Sequence, residues 1–297
     1  MSDSGSEGWV ERALHSVSPD VRARFASAPE ATLRSDFAVA VAAVDHLTKQ
    51  RADGGACDGM SYLDDGVILY APTPNSRRQN FTLAHELGHS LIESVGGIYD
   101  WLATQDEPGR LLESLCDRIA QRLLLPPGVA KVLVGDGPVG AHHVQQLYDT
   151  TEASRPVCAI ALTELIPGLG AIAILDRSTA RVTHASVHPD PELGWPRAFP
   201  WRGQALADSH PLLMLAPGDQ STRRMVWRTP WGAEGDYYVD AVADVRRVVA
   251  VFSAHDLRGV ESFHAPVDRD FDDRPLLKGF CCGIPFERRG YPCSACR

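Results

Sequence analysis

The spacing of apolar residues changes about halfway along the chain. From Trp9 to about Lys49 they recur at helical intervals, and the same spacing returns in FTLAHELGHSLIE (81–93) and LLESLCDRIAQRLLLPP (111–127). From Gly168 onward they fall in short runs such as AIAILD and VRRVVAVFSA, separated by Pro, Gly and Asp turns, which predicts strands. The sequence therefore predicts an α+β protein in which a mainly helical part precedes a β-rich part.

Turn and strand signals divide the chain further. GVILYAP (66–72) is β-branched and aromatic and predicts a short strand, which could bind an extended peptide by edge pairing. Asn80 or Thr82 can cap the helix that follows. Residues 138–166 predict two short helices around a turn. We expect five segments: a disordered tail (1–7), a first domain (8–135), a helical segment (136–166), a β-rich domain (167–270) and a Cys-rich tail (271–297).

Composition excludes some function classes. Apolar residues make up 44% of the chain and charged residues 23%, as in ordinary globular proteins. The net charge of −9 argues against nonspecific attraction of the whole surface to nucleic acid or anionic lipid. There is no run of about 18 apolar residues, and the N-terminus lacks the apolar region of a secretory signal. We therefore expect a cytoplasmic protein without a membrane partner.

The segment 81–93 contains the pattern H-E-x-x-H, formed by His85, Glu86 and His89. Residues four apart on an α-helix lie on one face about 6 Å from each other, so both imidazoles can face one ion. Glu86 can lie beside that ion without binding it. A catalytic zinc usually has three protein ligands and an open position for water, so a third ligand must come from elsewhere.

Glu113 and Asp117 lie one helical turn apart on the next strong helix. By themselves they would indicate a solvated helix face. Together with H-E-x-x-H they predict a His₂Glu zinc site in which Glu113 is the third ligand. Asp117 would then accept a hydrogen bond from a ligating histidine and fix its orientation. This combination predicts a metal-dependent hydrolase.

Cys116 allows two interpretations. It follows Glu113 by three residues, so its thiolate could occupy the open metal position and hold an enzyme inactive. Alternatively it is a small side chain buried between helices. The sequence leaves both open.

The motifs together resemble the ImmA/IrrE family of bacterial metallopeptidases. The resemblance covers about residues 35 to 130 and rests on GVILYAP, RRQNFTLAHELGHSLIE and ESLCDRIAQRLLLP. It implies a mainly helical, zincin-like (gluzincin) peptidase domain with a small sheet. It also implies zinc ligands at His85, His89 and Glu113 and a general base at Glu86. At Cys116 and Asp117 this chain departs from the Ala and Asn of many relatives.

The same resemblance suggests roles for the rest of the chain. Residues 138–166 resemble a helix-turn-helix (HTH)-like bundle, with Arg155 the one cation in TEASRPVCAIALTEL, so a structural or substrate-docking role competes with DNA contact. The region from 168 to 266 resembles, by strand texture and position, a GAF-like sensor domain. Family context implies a peptidase that stays inactive until a stress signal arrives, whether a small molecule or a nucleic acid.

The tail contains a cysteine cluster. C-x-x-C is half of a typical tetrahedral sulfur site for zinc, and an adjacent cysteine pair or His264 could complete it. An iron–sulfur cluster and free or redox-active thiols are the alternatives. The cluster predicts a second zinc held by Cys281, Cys282, Cys293 and Cys296.

Two functions fit these observations. The first is a zinc endopeptidase that cleaves a protein substrate, namely an HTH transcriptional repressor, in response to stress. The second is a non-hydrolytic DNA-binding or ligand-sensing regulator that uses the zincin fold as a scaffold. Glu86 favours the first, because a purely structural zinc has no use for a carboxylate beside an open coordination position.

Overall fold

Helices fill most of the first half of the chain and a five-stranded antiparallel sheet dominates the second, which confirms the α+β class. The computed structural model describes residues 3–45, 47, 58–62, 64–73, 76–190, 192, 194–260, 276–281 and 284–289. The helices in these ranges are α1 (Asp3–His15), α2 (Pro19–Ser27), α3 (Pro29–Asp36), α4 (Arg78–Glu93), α5 (Ile98–Ala103), α6 (Pro108–Leu124), α7 (Val129–Val134), α8 (Ala141–Thr150) and α9 (Arg155–Thr163).

The strands form three separate sheets. Their bounds are β1 (Ala40–Ala43), β2 (Gly59–Tyr62), β3 (Val67–Tyr70), β4 (Gly170–Asp176), β5 (Arg181–His188), β6 (Gln220–Arg228), β7 (Glu234–Ala243), β8 (Arg247–Ser253), β9 (Leu276–Cys281) and β10 (Ile284–Arg289). Residues 1–258 form one compact unit and 259–297 another, and in the second unit β9 and β10 pair as an antiparallel hairpin. No helix in the described ranges is long and apolar enough to cross a membrane.

The small sheet of the first half has the order β1-β3-β2. β3 runs parallel to β1, with Val41 opposite Ile68, and antiparallel to β2, with Met60 opposite Leu69. The expectation that residues 66–72 bind a peptide by edge pairing is therefore wrong, because both edges of β3 already pair with neighbouring strands. Short apolar runs are typical of such buried central strands.

The start of α4 also differs from the sequence expectation. Its N-cap is Arg77, in the left-handed region at φ 54°, and neither Asn80 nor Thr82 caps it. The hydroxyl of Thr73 accepts from the backbone N–H of Gln79 at 2.9 Å, and that of Ser76 accepts from Arg78 at 3.3 Å. The preceding loop therefore provides the oxygens that the first turn requires.

α4 and α6 cross closely. Leu87 of α4 and Ile119 of α6 are buried at this crossing. Gly88 permits the contact, because a Cβ there would lie 3.2 Å from the Cα of Cys116. The crossing sets the distance between the H-E-x-x-H helix and the helix that carries Glu113.

The N-terminal helix begins at Asp3, within the segment 1–7 that the sequence analysis expected to be disordered. Glu7 forms ion pairs with Arg118 and Arg122 of α6, and Glu11 forms a further pair with Arg122. Trp9 and Val10 are buried beside these pairs. Contacts with a helix that is distant in sequence thus stabilise a segment made mostly of small polar residues.

The five-stranded sheet has the order β5-β4-β8-β7-β6 and buries both faces. On one face, Ile172, Ile174 and Val251 join the core of the helices, where α9 packs on β4 and β5, and α8 on β7 and β8. The opposite face packs Trp227, Phe252 and a set of alanines against leucines from the segment 206–215. Strand side chains alternate between faces, so this arrangement explains the long apolar runs in the second half.

Candidate metal centre

Three side chains from α4 and α6 converge at the helix crossing. One ligand atom from each of His85, His89 and Glu113 lies within 4.8 Å of the others. The Nε2 of His85 is 3.3 Å from Oε2 of Glu113, and the Nε2 of His89 is 3.7 Å from Oε1 of the same carboxylate. Both imidazoles and one carboxylate therefore face a common point. No other such group of three His, Cys, Asp or Glu residues occurs in the part of the chain that the structure describes.

The helical spacing of the two histidines produces this arrangement. His85 and His89 are one turn apart on α4, and their ring centroids are 5.1 Å apart at an angle of 76°. Both rings are largely buried, whereas the Glu113 side chain is 52% exposed. The converging group therefore has a buried imidazole side and an exposed carboxylate side.

Asp117 orients His85. Its Oδ1 lies 2.8 Å from Nδ1 of His85, one turn of α6 beyond Glu113. This contact places a proton on Nδ1 and leaves Nε2 to face Glu113, as a metal-binding histidine requires. Burial lowers the pKa of His85, but the hydrogen bonds that the ring donates to Asp117 and Glu113 outweigh this effect and raise the pKa to about 9. In the metal-free protein His85 is therefore a cation held between two carboxylates.

Glu86 lies beside the converging group without belonging to it. It is only 8% exposed and sits on α4 next to β2. A Cβ on Gly59 would come within 2.8 Å of Oε1 of Glu86 and 2.3 Å of Cγ2 of Thr82. β2 can approach Glu86 this closely because Gly59 has no side chain.

This close approach gives a testable prediction for Gly59→Ala. The added methyl cannot fit without shifting β2, Thr82 or Glu86, and such overpacking costs about 1–3 kcal/mol. We expect the free energy of unfolding in denaturant to fall by that amount. Gly96→Ala is the matched control, because a Cβ at Gly96 has no neighbour within 4 Å. Equal stability of Gly59→Ala and wild type would contradict the tight contact.

Cys116 lies outside the converging group. Its side chain is completely buried in the α4–α6 interface, and its backbone and Cβ face Gly88. Burial, followed by the nearby charges of Glu113 and Asp117, raises the pKa of the Cys116 thiol. These features favour the second of the two interpretations, a small side chain buried between the helices.

The sequence offers four candidates for an oxyanion stabiliser, namely Tyr99, His142, His143 and Tyr148. Tyr99 of α5 is half exposed, and burial, followed by the charge of Glu93, raises its pKa. His143 instead accepts from the backbone N–H of Gly140, and its ring stacks on His142. The ring of Tyr148 lies between two arginines. Of the four, Tyr148 contacts the N-cap of α4, through Arg77.

The expected second metal site falls mostly outside the described residues. Cys281 is the last residue of β9, and its side chain lies outside the description. Cys282, Cys293, Cys296 and His264 also lie outside the described residues.

Sequence reasoning missed Gly59 and Gly88, whose importance comes from helix and strand contacts that no local pattern shows.

Comparisons with known proteins agree with this geometry. Residues 35–131 match the Peptidase_M78 family, the IrrE N-terminal-like domain. The radiation response metalloprotease IrrE of Deinococcus radiodurans is 33% identical over 114 residues, which are 37% of this chain and 34% of that protein. The match therefore spans about a third of the length of that relative.

Two further similarities extend over more of the chain. The radiation response metalloprotease IrrE of Deinococcus deserti is 27% identical over 235 residues, covering 71% of this chain and 79% of that protein. A Mycobacterium tuberculosis transcriptional regulator of known structure has a TM-score of 0.46 at 14% identity, over 85% of this chain and 76% of that chain. Residues 35–131 therefore form an IrrE N-terminal-like domain, and this part of the chain belongs to the ImmA/IrrE family.

Proposed function

We propose that this chain is a zinc-dependent endopeptidase that cleaves a protein substrate. The observation that carries the proposal is the convergence of His85, His89 and Glu113, with Glu86 buried beside them. The names of the two IrrE relatives, both metalloproteases, support the same activity. A scaffold without hydrolytic function would not require a buried carboxylate next to a three-ligand site.

The donor set fits zinc. Two imidazoles and one carboxylate are a typical catalytic zinc set, and the hydrogen bond that Asp117 accepts from Nδ1 gives His85 the tautomer that ligation requires. When bound here, zinc supplies Lewis-acid polarisation of the scissile carbonyl and activation of water. His85, His89 and Glu113 would hold the ion.

The chain's own residues carry the proton transfers. A carboxylate oxygen of Glu86 accepts the proton of the attacking water, and the same oxygen then donates it to the leaving amine nitrogen. Burial of Glu86 against β2 restricts the carboxylate to a position beside the ligands. Because β2 is the strand next to Glu86, and β3 is enclosed, β2 is the strand that an extended substrate would follow.

The substrate that we propose is a helix-turn-helix transcriptional repressor, cleaved when a stress signal arrives. The support is the pair of relatives named for the radiation response. The experiment is co-expression with HTH repressors encoded near this chain, comparing wild type with Glu86→Gln. Cleavage products that appear with wild type alone would support the proposal, and products that appear equally with both would overturn it.

Other parts of the sequence interpretation remain predictions. They are a second zinc at the tail cysteines, a sensor role for the β-rich part and a structural rather than DNA-contacting role for residues 138–166.

The raised pKa of His85 predicts a proton release on metal binding. Below about pH 9 the metal-free protein holds His85 protonated, and metal ligation requires the neutral imidazole. We expect about one proton to leave His85 per zinc bound at pH 7.5, with the number decreasing above pH 9. Calorimetric titration in buffers of different ionisation enthalpy measures it.

The control for this prediction is Asp117→Asn. Loss of the Asp117 carboxylate weakens one of the two hydrogen bonds that raise the pKa of His85, so fewer protons should leave at pH 7.5. Equal proton release by both proteins would contradict the assignment to His85.

The same pKa shift of His85 stabilises the metal-free fold below pH 6.5, and this stabilisation is lost as pH rises through about 9.

A further inference from the structure

Helix α8 is held at its N-terminal end by a carboxylate from the sheet. Its N-cap is Gly140, which has no side chain that could accept from the first backbone N–H groups of the helix. Oδ2 of Asp240, from β7, accepts instead from the backbone N–H of Ala141 at 2.8 Å. Asp240 is only 4% exposed, and its negative charge lies at the positive end of the helix dipole. A residue of the sheet therefore caps α8.

The same carboxylate also binds the neighbouring strand. Oδ1 of Asp240 accepts from the hydroxyl of Thr222 at 2.8 Å and from the side-chain amide of Gln220 at 3.0 Å, both on β6. The guanidinium of Arg258 lies 3.6 Å from Oδ2 and balances the buried charge. These partners fix the orientation of Asp240, so the start of α8 cannot shift without breaking hydrogen bonds to the sheet.

The C-terminal end of α8 is held by the start of the helix that carries the two histidines. The last carbonyl groups of a helix have no partner within it, and a cation beside them is favourable. Arg77, the N-cap of α4, donates to the backbone carbonyls of Tyr148 and Thr151, and its guanidinium lies 4.4 Å from the ring centroid of Tyr148. Asn80, in the first turn of α4, donates to the carbonyl of Glu152 at 3.0 Å. The end of α8 and the start of α4 are therefore hydrogen-bonded to each other.

The backbone of Arg77 depends on these contacts. Its φ of 54° lies in the left-handed region, which is unfavourable for most residues other than glycine. Such a conformation persists where the surrounding structure fixes it. The two carbonyls at the end of α8 bind the Arg77 side chain and so help to hold the turn from which α4 begins.

α8 is short enough for its two ends to depend on each other. It has 10 residues, whereas an isolated helix is marginal below about 12–15 residues, and helix formation is cooperative. Val144 and Leu147 anchor its middle in the core of the helices, but its ends rely on Asp240 and Arg77. Loss of the cap at one end should therefore loosen the other end as well.

We infer that α8 is a strut through which the five-stranded sheet positions the start of α4, with Asp240 and Arg77 as its positioning residues. His85 and Glu86 follow about two turns after Arg77 on α4. The coupling is reciprocal, so loosening at β7 should reach α4 and loosening at the start of α4 should reach the far end of α8. The inference goes beyond the proposed function and does not depend on it, because it concerns how α4 is held and not which reaction it serves.

Amide hydrogen exchange of the full chain tests the strut. Asp240→Ala removes the cap of α8 and the side-chain bonds to β6. We expect exchange to accelerate about five- to tenfold in the first turn of α8 (141–144) and also at the start of α4 (78–83). Within the described part of the chain, the hydrogen bonds and ion pairs of Asp240 go to α8, β6 and Arg258, so an effect at α4 is indirect.

A second substitution distinguishes the strut from general loosening. Independent effects on exchange multiply, whereas effects that follow one route do not. In an Arg77→Gln background the link from α8 to α4 is already weakened, so Asp240→Ala should add less than about twofold at the start of α4. Arg78→Gln is the matched background, because Arg78 is the next residue and its guanidinium pairs with Asp58. There Asp240→Ala should keep its full effect.

The reverse direction uses the same variants. Arg77→Gln alone should accelerate exchange of the Ala141 amide, at the opposite end of α8, and Arg78→Gln should leave that amide unchanged. The control for the sheet is Asp244→Ala, which removes the acceptor of the β7–β8 turn, where Asp244 accepts from the amides of Arg246 and Arg247. It should leave exchange at the start of α4 unchanged.

Three results would each overturn the inference. They are faster exchange of Asp240→Ala confined to α8, an equal effect of Asp244→Ala on α4, and a full effect of Asp240→Ala in the Arg77→Gln background. If Asp240→Ala does not fold, Asp240→Asn takes its place. Asparagine keeps one acceptor oxygen but loses the charge, so it should give a smaller effect of the same pattern.

Discussion

Glu86→Gln should lower the rate of peptide-bond cleavage about a hundred- to ten-thousandfold, the usual contribution of a positioned general base. Glutamine has nearly the same shape, but its amide cannot accept the proton of the attacking water. The three candidate ligands are untouched, so we expect bound zinc to remain at the wild-type level. A rate loss without metal loss would assign a chemical role to this carboxylate.

The measurement is the initial cleavage rate of a purified substrate, with the metal content of the same sample. Glu93→Gln is the matched control, because Glu93 is an exposed carboxylate on the same helix and lies outside the converging group. It should keep the wild-type rate. Wild-type cleavage by Glu86→Gln would refute the assigned role, and loss of metal in that variant would move Glu86 into the ligand set.

Local periodicity accounts for what the sequence could predict. His85 and His89 share a face because an α-helix repeats every 3.6 residues, and the apolar spacing of 81–93 predicts that helix. The same reasoning places Glu113 and Asp117 one turn apart on α6. The convergence of the two helices needs the close crossing at Gly88 and Cys116, which depends on long-range packing.

Long-range contacts explain the expectations that were wrong. The sequence predicts β3 as an edge available to a peptide, yet it pairs with β2 across a short turn and with β1, where Ala40 lies opposite Val67. The polar N-terminal residues form helix because Glu7 meets two arginines of α6 more than a hundred positions away. The pairing of β1 with β3 and the ion pairs of Glu7 leave no signal within a window of a few residues, which is the range of pattern-based reasoning.

The largest expected effect on metal binding belongs to Glu113→Gln. Glu113 is the only carboxylate of the described converging group and faces both imidazoles, at 3.3 Å from His85 and 3.7 Å from His89. An amide brings no charge to a divalent cation, so we expect zinc affinity to fall by more than about a hundredfold. Asp117→Asn, which changes only the hydrogen bond to His85, should lose about 10- to 100-fold.

Competition with a chromophoric chelator measures both affinities on the same scale. Glu107→Gln is the matched control, because Glu107 is exposed at the start of α6 and pairs with Arg110 instead of a histidine. Its affinity should equal that of wild type. The order of the three variants is the discriminating result. Zinc affinity should fall most when a ligand is replaced, less when a residue that orients a ligand is replaced, and not at all when a surface carboxylate is replaced. If Glu113→Gln binds zinc as tightly as Glu107→Gln, the carboxylate at position 113 is not a ligand, and the site reduces to two histidines, too few to hold a catalytic zinc.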